Sequence, residues 1–182
     1  MTAFIALLRA VNVGGNNLIR MADLKALCEA AGFREVKTLL QSGNVAFLAK
    51  DTNKAVAKML ADAIDKSHGF RLAVMVRTAD EIADAMKRNP FKAEARSDPG
   101  HLVVAFMADP PADGAGERLA AVRVQKERLH LSGRELYVHY ADGQGTSKVT
   151  NVVLERALGV PATARNWNTV TKLLQLAREL ES

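Results

Sequence analysis

Residues Ala3 to Ala10 are apolar on both alternating faces, with Phe4, Ala6 and Leu8 on one side and Ile5 and Leu7 on the other. A strand of this kind belongs in the middle of a sheet covered on both sides. A Gly- and Asn-rich turn, Val13 to Asn17, ends it. The next helix turns Leu24, Leu27, Cys28 and Ala31 inward and closes at Gly32. Arg34 to Leu40 and Asn44 to Leu48 read as a hairpin around Gln41-Ser42-Gly43. Asp51 or Thr52 can cap a helix with Val56, Met59, Leu60, Ala63 and Ile64 inward, and Phe70 to Arg77 reads as the strand that follows. The order is strand, helix, strand, strand, helix, strand.

Thr78 and Glu81 have capping-box spacing, opening a helix through Ile82 and Met86 to Asn89-Pro90. The polar stretch 92–100 then reads as a linker, after which the order repeats. A strand, His101 to Met107, leads to a helix near Glu117 to Val124 and a hairpin of Arg128 to Leu131 with Glu135 to Tyr140 about Ser132-Gly133. In that hairpin Leu129, Leu131, Leu136, Val138 and Tyr140 share a core face, while Arg128, His130, Glu135, Tyr137 and His139 share a polar face expected to be solvated or at an interface. A helix from Ser147, with Val149, Val152, Val153 and Ala157 inward, closes at Gly159. A short extended piece near Thr163 leads to a last helix carrying Val170, Leu173, Leu174, Ala177 and Leu180. The expected fold is therefore α+β, two tandem ferredoxin-like βαββαβ subdomains arising by duplication, with a C-terminal helix. The first half spans 1–91, the linker 92–100 and the second half 101–182.

Several function classes are disfavoured. No apolar stretch approaches the roughly 20 residues that span a bilayer, and Ala3 to Leu8 lacks the basic flank of a signal peptide, so a cytoplasmic protein without membrane partners is expected. The lone Cys28 lies on an apolar helix face and reads as a buried thiol. His68, His101, His130 and His139 show no metal-ligand spacing, and no nucleophile has a sequence-local base. Neither a metal nor a cofactor is expected. A net charge of +5 favours phosphate-bearing partners mildly, without the clustered basic tracts of dedicated nucleic-acid binders.

Four segments carry candidate chemistry. Asn12-Val13-Gly14-Gly15-Asn16-Asn17 joins a strand to a helix, where glycines let the backbone approach a ligand, with Arg9 and Arg20 beside it. The turn Gln41-Ser42-Gly43-Asn44 is the second. The third, Asp142 to Lys148, has phosphate-loop composition but lacks the Walker spacing, so it is no ATP-hydrolysing loop; Thr146 or Ser147 as a helix cap with Lys148 in the first turn still suits an anion. The fourth gathers Arg165, Asn166, Trp167 and Asn168 at another helix start.

Leu7 to Asn17, Leu40 to Val45, Leu136 to Gly143 with Ser147-Lys148, and Arg165 to Val170 resemble, in order and across the whole chain, the motifs of a bacterial family of uncharacterised proteins, domain of unknown function 1697. The resemblance implies two similar ferredoxin-like subdomains and no activity. The family pattern has a Lys where this chain has Asn16 or Asn17 and an Arg where it has Thr146, departures that remove positive charge. The leading expectation is a small anionic or nucleotide-like ligand held where the four segments gather, with Arg9, Lys148 and Arg165 carrying charge and Trp167 stacking on a planar group. A nucleic-acid module on an open sheet is the alternative, weakened by 5% aromatic content. A further alternative has the motifs merely joining the two halves.

Overall fold

The computed structural model describes residues 1–182. The chain divides into two compact units, 1–84 with 172–182, and 85–171.

In the first unit, β1 (Thr2–Leu8), α1 (Met21–Ala30), β2 (Arg34–Leu39), β3 (Asn44–Ala49), α2 (Asn53–His68) and β4 (Val74–Thr78) follow in order. The strands form an antiparallel sheet ordered β2-β3-β1-β4. As its two apolar faces require, β1 is central and buried from Ala3 to Leu8. Leu24 and Cys28 of α1 and Val56, Leu60 and Ile64 of α2 pack with Phe4, Ala6, Leu8, Val45 and Phe47 in one core, where each fully buried large apolar side chain contributes about 1.5–3 kcal/mol. Burial pushes the Cys28 thiol up to about 12. Thr52 caps α2, accepting from the Ala55 amide. The sequence places the fourth strand from Phe70, but ladder pairing begins at Val74. Thr78 and Glu81 do form the capping box: the Glu81 amide donates to Thr78 Oγ1 at 3.1 Å and the Thr78 amide to Glu81 Oε2 at 2.8 Å. It opens α3 (Ala79–Arg88).

The second unit contains α4 (Lys92–Ser97), β5 (Leu102–Met107), α5 (Ala115–Ala120), β6 (Arg128–Ser132), β7 (Glu135–His139), α6 (Asn151–Leu158) and β8 (Ala162–Asn166). Its antiparallel sheet is ordered β6-β7-β5-β8, with β5 buried throughout. Leu119, Leu154, Ala157 and Leu158 from the helices pack with Val103, Ala105, Leu136, Val138 and Tyr140. The last helix, α7 (Trp167–Glu181), is capped by Asn166, whose Oδ1 accepts from the Thr169 amide at 3.0 Å. The division between units falls within α3 and within α7. No helix is long and apolar enough to cross a membrane.

The stretch 92–100 contains helix α4. Two expectations change. Ser147 does not open a helix: Gln144–Thr146 is a single 3-10 turn, Thr150 caps α6, and the inward face becomes Leu154, Ala157 and Leu158, leaving Val152 63% exposed. The polar face of β7 is buried rather than solvated. Glu135 meets Arg88 at 2.7 Å, the Tyr137 hydroxyl donates to the Ala85 carbonyl, and His139 Nε2 lies 2.9 Å from Asp98. Each polar side chain has a partner in the segment 85–98, which makes its burial tolerable.

At Gly43, φ is +80° and an added Cβ would lie 2.8 Å from the Leu8 Cβ. Gly43→Ala should therefore cost about 1–3 kcal/mol. At about 2–4 °C per kcal/mol, thermal denaturation should register a drop of several degrees, and an unchanged midpoint would refute this account of the turn.

Candidate anion-binding site

The first two candidate segments meet within the first unit through bonds that hold their own backbone. Val13 and Asn16 pair across Gly14 and Gly15, the Asn16 amide donating to the Val13 carbonyl at 3.0 Å. Gly14 and Gly15 have φ of +59° and +77°, the signs a type I′ turn demands, so the turn itself accounts for both glycines. Asn12 Nδ2 donates to the carbonyls of Ile19 (2.9 Å) and Gln41 (2.7 Å), while its Oδ1 accepts from the Ile19 amide. Asn17 Nδ2 reaches the Ala10 carbonyl, and buried Asn44 donates to the Leu39 carbonyl and Ser42 Oγ. Arg20 pairs with Asp23 at 2.8 Å. Arg9 is half-buried, and Gln41 and Ser42 are exposed. These amides fix one loop against another.

The third and fourth segments lie in the second unit. Arg165 is 8% exposed; its Nη1 donates to Thr163 Oγ1 (2.7 Å) and the Ala164 carbonyl (2.9 Å), and burial lowers its pKa to about 10. Trp167 is half-buried and Asn168 exposed. Ser147 donates to Glu127 Oε1 at 2.6 Å and accepts from the Val149 amide at 3.0 Å. Lys148 is exposed and its ammonium has no partner.

Lys148 lines a cavity of about 600 Å³ together with Val122, Arg123, Val124, Gln125, Glu127 and Val153. None of Arg165 to Asn168 lines it. Arg123, likewise exposed and without a partner, supplies a second cation. The valines give an apolar wall and Gln125 an amide. Glu127 organises the loop: Ser147, then the Gln125 amide at 2.7 Å, and the Lys126 amide at 3.2 Å all donate to it, holding its carboxyl down at about 2. Arg123, Gln125 and Glu127 are not evident in the sequence, where the helical pattern runs on to Val124; α5 ends at Ala120. The polar run 123–128 between a helix and a hairpin was the available signal.

The architecture defines a mixed α+β protein with two four-stranded antiparallel sheets and seven helices. Residues 1–137 match the family described as "Protein of unknown function (DUF1697)", and the chain belongs to that family. No curated protein shows a significant match. Among solved structures, the conserved bacterial protein SP0830 from Streptococcus pneumoniae is similar in fold, with a TM-score of 0.71 and 22% identity over 97% of this chain and 98% of that one.

Two measurements check these assignments. Glu127 titrates lower in the folded chain than when unfolded, so its contribution is fully present above the ordinary carboxylate range and is lost as pH falls from about 4.5 toward 2. Urea midpoints between pH 6 and pH 2.5 should fall less steeply for Glu127→Gln than for the unaltered chain. Arg165→Ala removes a buried, bonded guanidinium and should cost about 1–3 kcal/mol in thermal or urea unfolding; unaltered stability would contradict a structural role.

Proposed function

We propose that this protein binds a small anionic ligand in the cavity of its second unit, with Lys148 and Arg123 supplying the charge. The observation that carries this reading is two cations without protein partners lining one cavity of about 600 Å³, within the 300–1,000 Å³ usual for ligand sites. The ligand would set a carboxylate or phosphate against the ammonium and guanidinium and an apolar portion against Val122, Val124 and Val153, while Gln125 orients it. Arg165 and the loop asparagines serve structure in this reading, since their polar atoms already have protein partners. A nucleic-acid role has less support: Tyr137 and Tyr140 are buried, leaving neither to stack on bases.

We further propose that the fold is a ferredoxin-like duplication, halves 1–91 and 101–182 around 92–100, in a cytoplasmic protein. Support comes from the matching strand orders, and from Arg77 and Arg165, which occupy equivalent positions: each lies on the last strand opposite the central one and bonds the carbonyl of the residue before it.

Thermal-shift and calorimetric titration with inorganic phosphate, sugar phosphates, nucleotides and dicarboxylates tests the binding. Lys148→Ala and Arg123→Ala should each weaken the best ligand by about tenfold to a hundredfold, as loss of one charge-assisted contact dictates. The melting temperature without ligand should barely move. Stabilisation by ligand that persists unchanged in both variants would reject the cavity as the site.

A further inference from the structure

We infer that the outer edge of β6 is a docking strand for an extended polypeptide ending in a free carboxylate, which Arg123 and Lys148 receive; the inference rests on the anion reading of that cavity. Strand β6 is an edge, paired only with β7, and the outward half of its backbone groups is available to another strand. Its ladder is regular, each residue from Arg128 to Ser132 in register with β7. The strand in the same place in the first sheet, β2, is different. There the register shifts between Arg34 and Lys37, and Glu35 has a φ of +52°, a bulge of the sort that blunts an edge against pairing. The second sheet has no such device on β6.

A hollow of about 360 Å³ lies along this edge, lined by Gly116, Leu119 and Ala120 of α5 and by Leu129, His130 and Leu131 of β6, among others. Val122, Val124 and Glu127 belong both to this hollow and to the cavity of Arg123 and Lys148, so the apolar strip and the cationic end adjoin. Antiparallel pairing, the more stable arrangement per residue, sets the direction. A strand antiparallel to β6 finishes beside Arg128, where the ladder stops and the cationic end begins, so its C-terminus arrives at the two cations. Leu131 to Glu127 spans roughly 13 Å of extended chain, room for about five residues, with alternate side chains apolar toward Leu119, Leu129 and Leu131.

Charge selects a carboxylate here. Lys126 is paired with Asp142 and Arg128 with Glu94, which leaves Arg123 and Lys148 against the single charge of Glu127. The Glu127 oxygens are engaged by Ser147 and two backbone amides. Backbone pairing to an edge combined with capture of a terminal carboxylate is a recurrent mode of peptide recognition.

The test uses the full isotope-labelled chain, titrated by NMR with a peptide of about eight residues alternating Ser and Val, with its C-terminus free or amidated, and separately with inorganic phosphate. The free peptide should shift the β6 amides and slow hydrogen exchange at Leu129 and Leu131, which point away from β7. Amidation of the peptide, or Lys148→Ala in the protein, should weaken it by about tenfold or more. Gly116→Phe should fill the hollow and block the peptide while leaving phosphate binding intact, and its amide spectrum outside the hollow should match that of the unaltered chain; a Cβ at Gly116 meets nothing within 4 Å. Equal binding of free and amidated peptides overturns the inference. Phosphate that binds through Lys148 and Arg123 while no β6 amide responds to peptide overturns the inference but spares the anion reading. Phosphate and free peptide that both fail to bind, or that both bind regardless of Lys148 and Arg123, remove both.

Discussion

β1 and β5 are each buried along nearly their whole length, and a strand without a solvated face commits its sheet to a cover on either side. One cover is apolar and helical in each unit: α1 and α2 over the first sheet, α5 and α6 over the second. The other face of β7 is polar and yet buried, which is affordable only because Glu135, Tyr137 and His139 each find a partner in residues 85–98. The segment after β4 thus carries hydrogen bonds that the second sheet needs.

This dependence explains what the sequence could and could not reveal. Period-two and period-3.6 patterns exposed the strands, the helices and most of the core, because burial of alternate apolar residues is a local signal; Leu24, Cys28, Leu60 and Ile64 lie where the pattern puts them. Capping chemistry was equally local, as Thr78 with Glu81 demonstrates. What covers the polar face of β7 is not legible in the sequence, because its partners lie some 41 to 52 residues away. Likewise a helix begun at Ser147 takes Val149 into its apolar pattern and turns Val152 inward, whereas the cap at Thr150 leaves Val149 outside α6.

The candidate site divides the same way. Lys148 was visible as a charged residue after a Gly-rich turn. Its companion Arg123 was not, because nothing in a single sequence says that the loop after α5 and the segment before α6 line one cavity. Conversely, Gly14, Gly15, Asn12 and Asn44 drew attention for the composition that tight, self-bonded loops require. Composition alone cannot separate a backbone that needs glycine for its own turn from one that opens toward a ligand.

Residues 172–182 belong with 1–84, although the whole of the second unit intervenes. Ion pairs of Arg178 with Asp80 and Glu179 with Lys37 mark the attachment. During synthesis, which proceeds from the N-terminus, the first unit therefore waits for its last piece until residues 85–171 have already left the ribosome. The order in which the chain is made and the order in which its parts can be completed are thus reversed: the unit begun first is the one finished last.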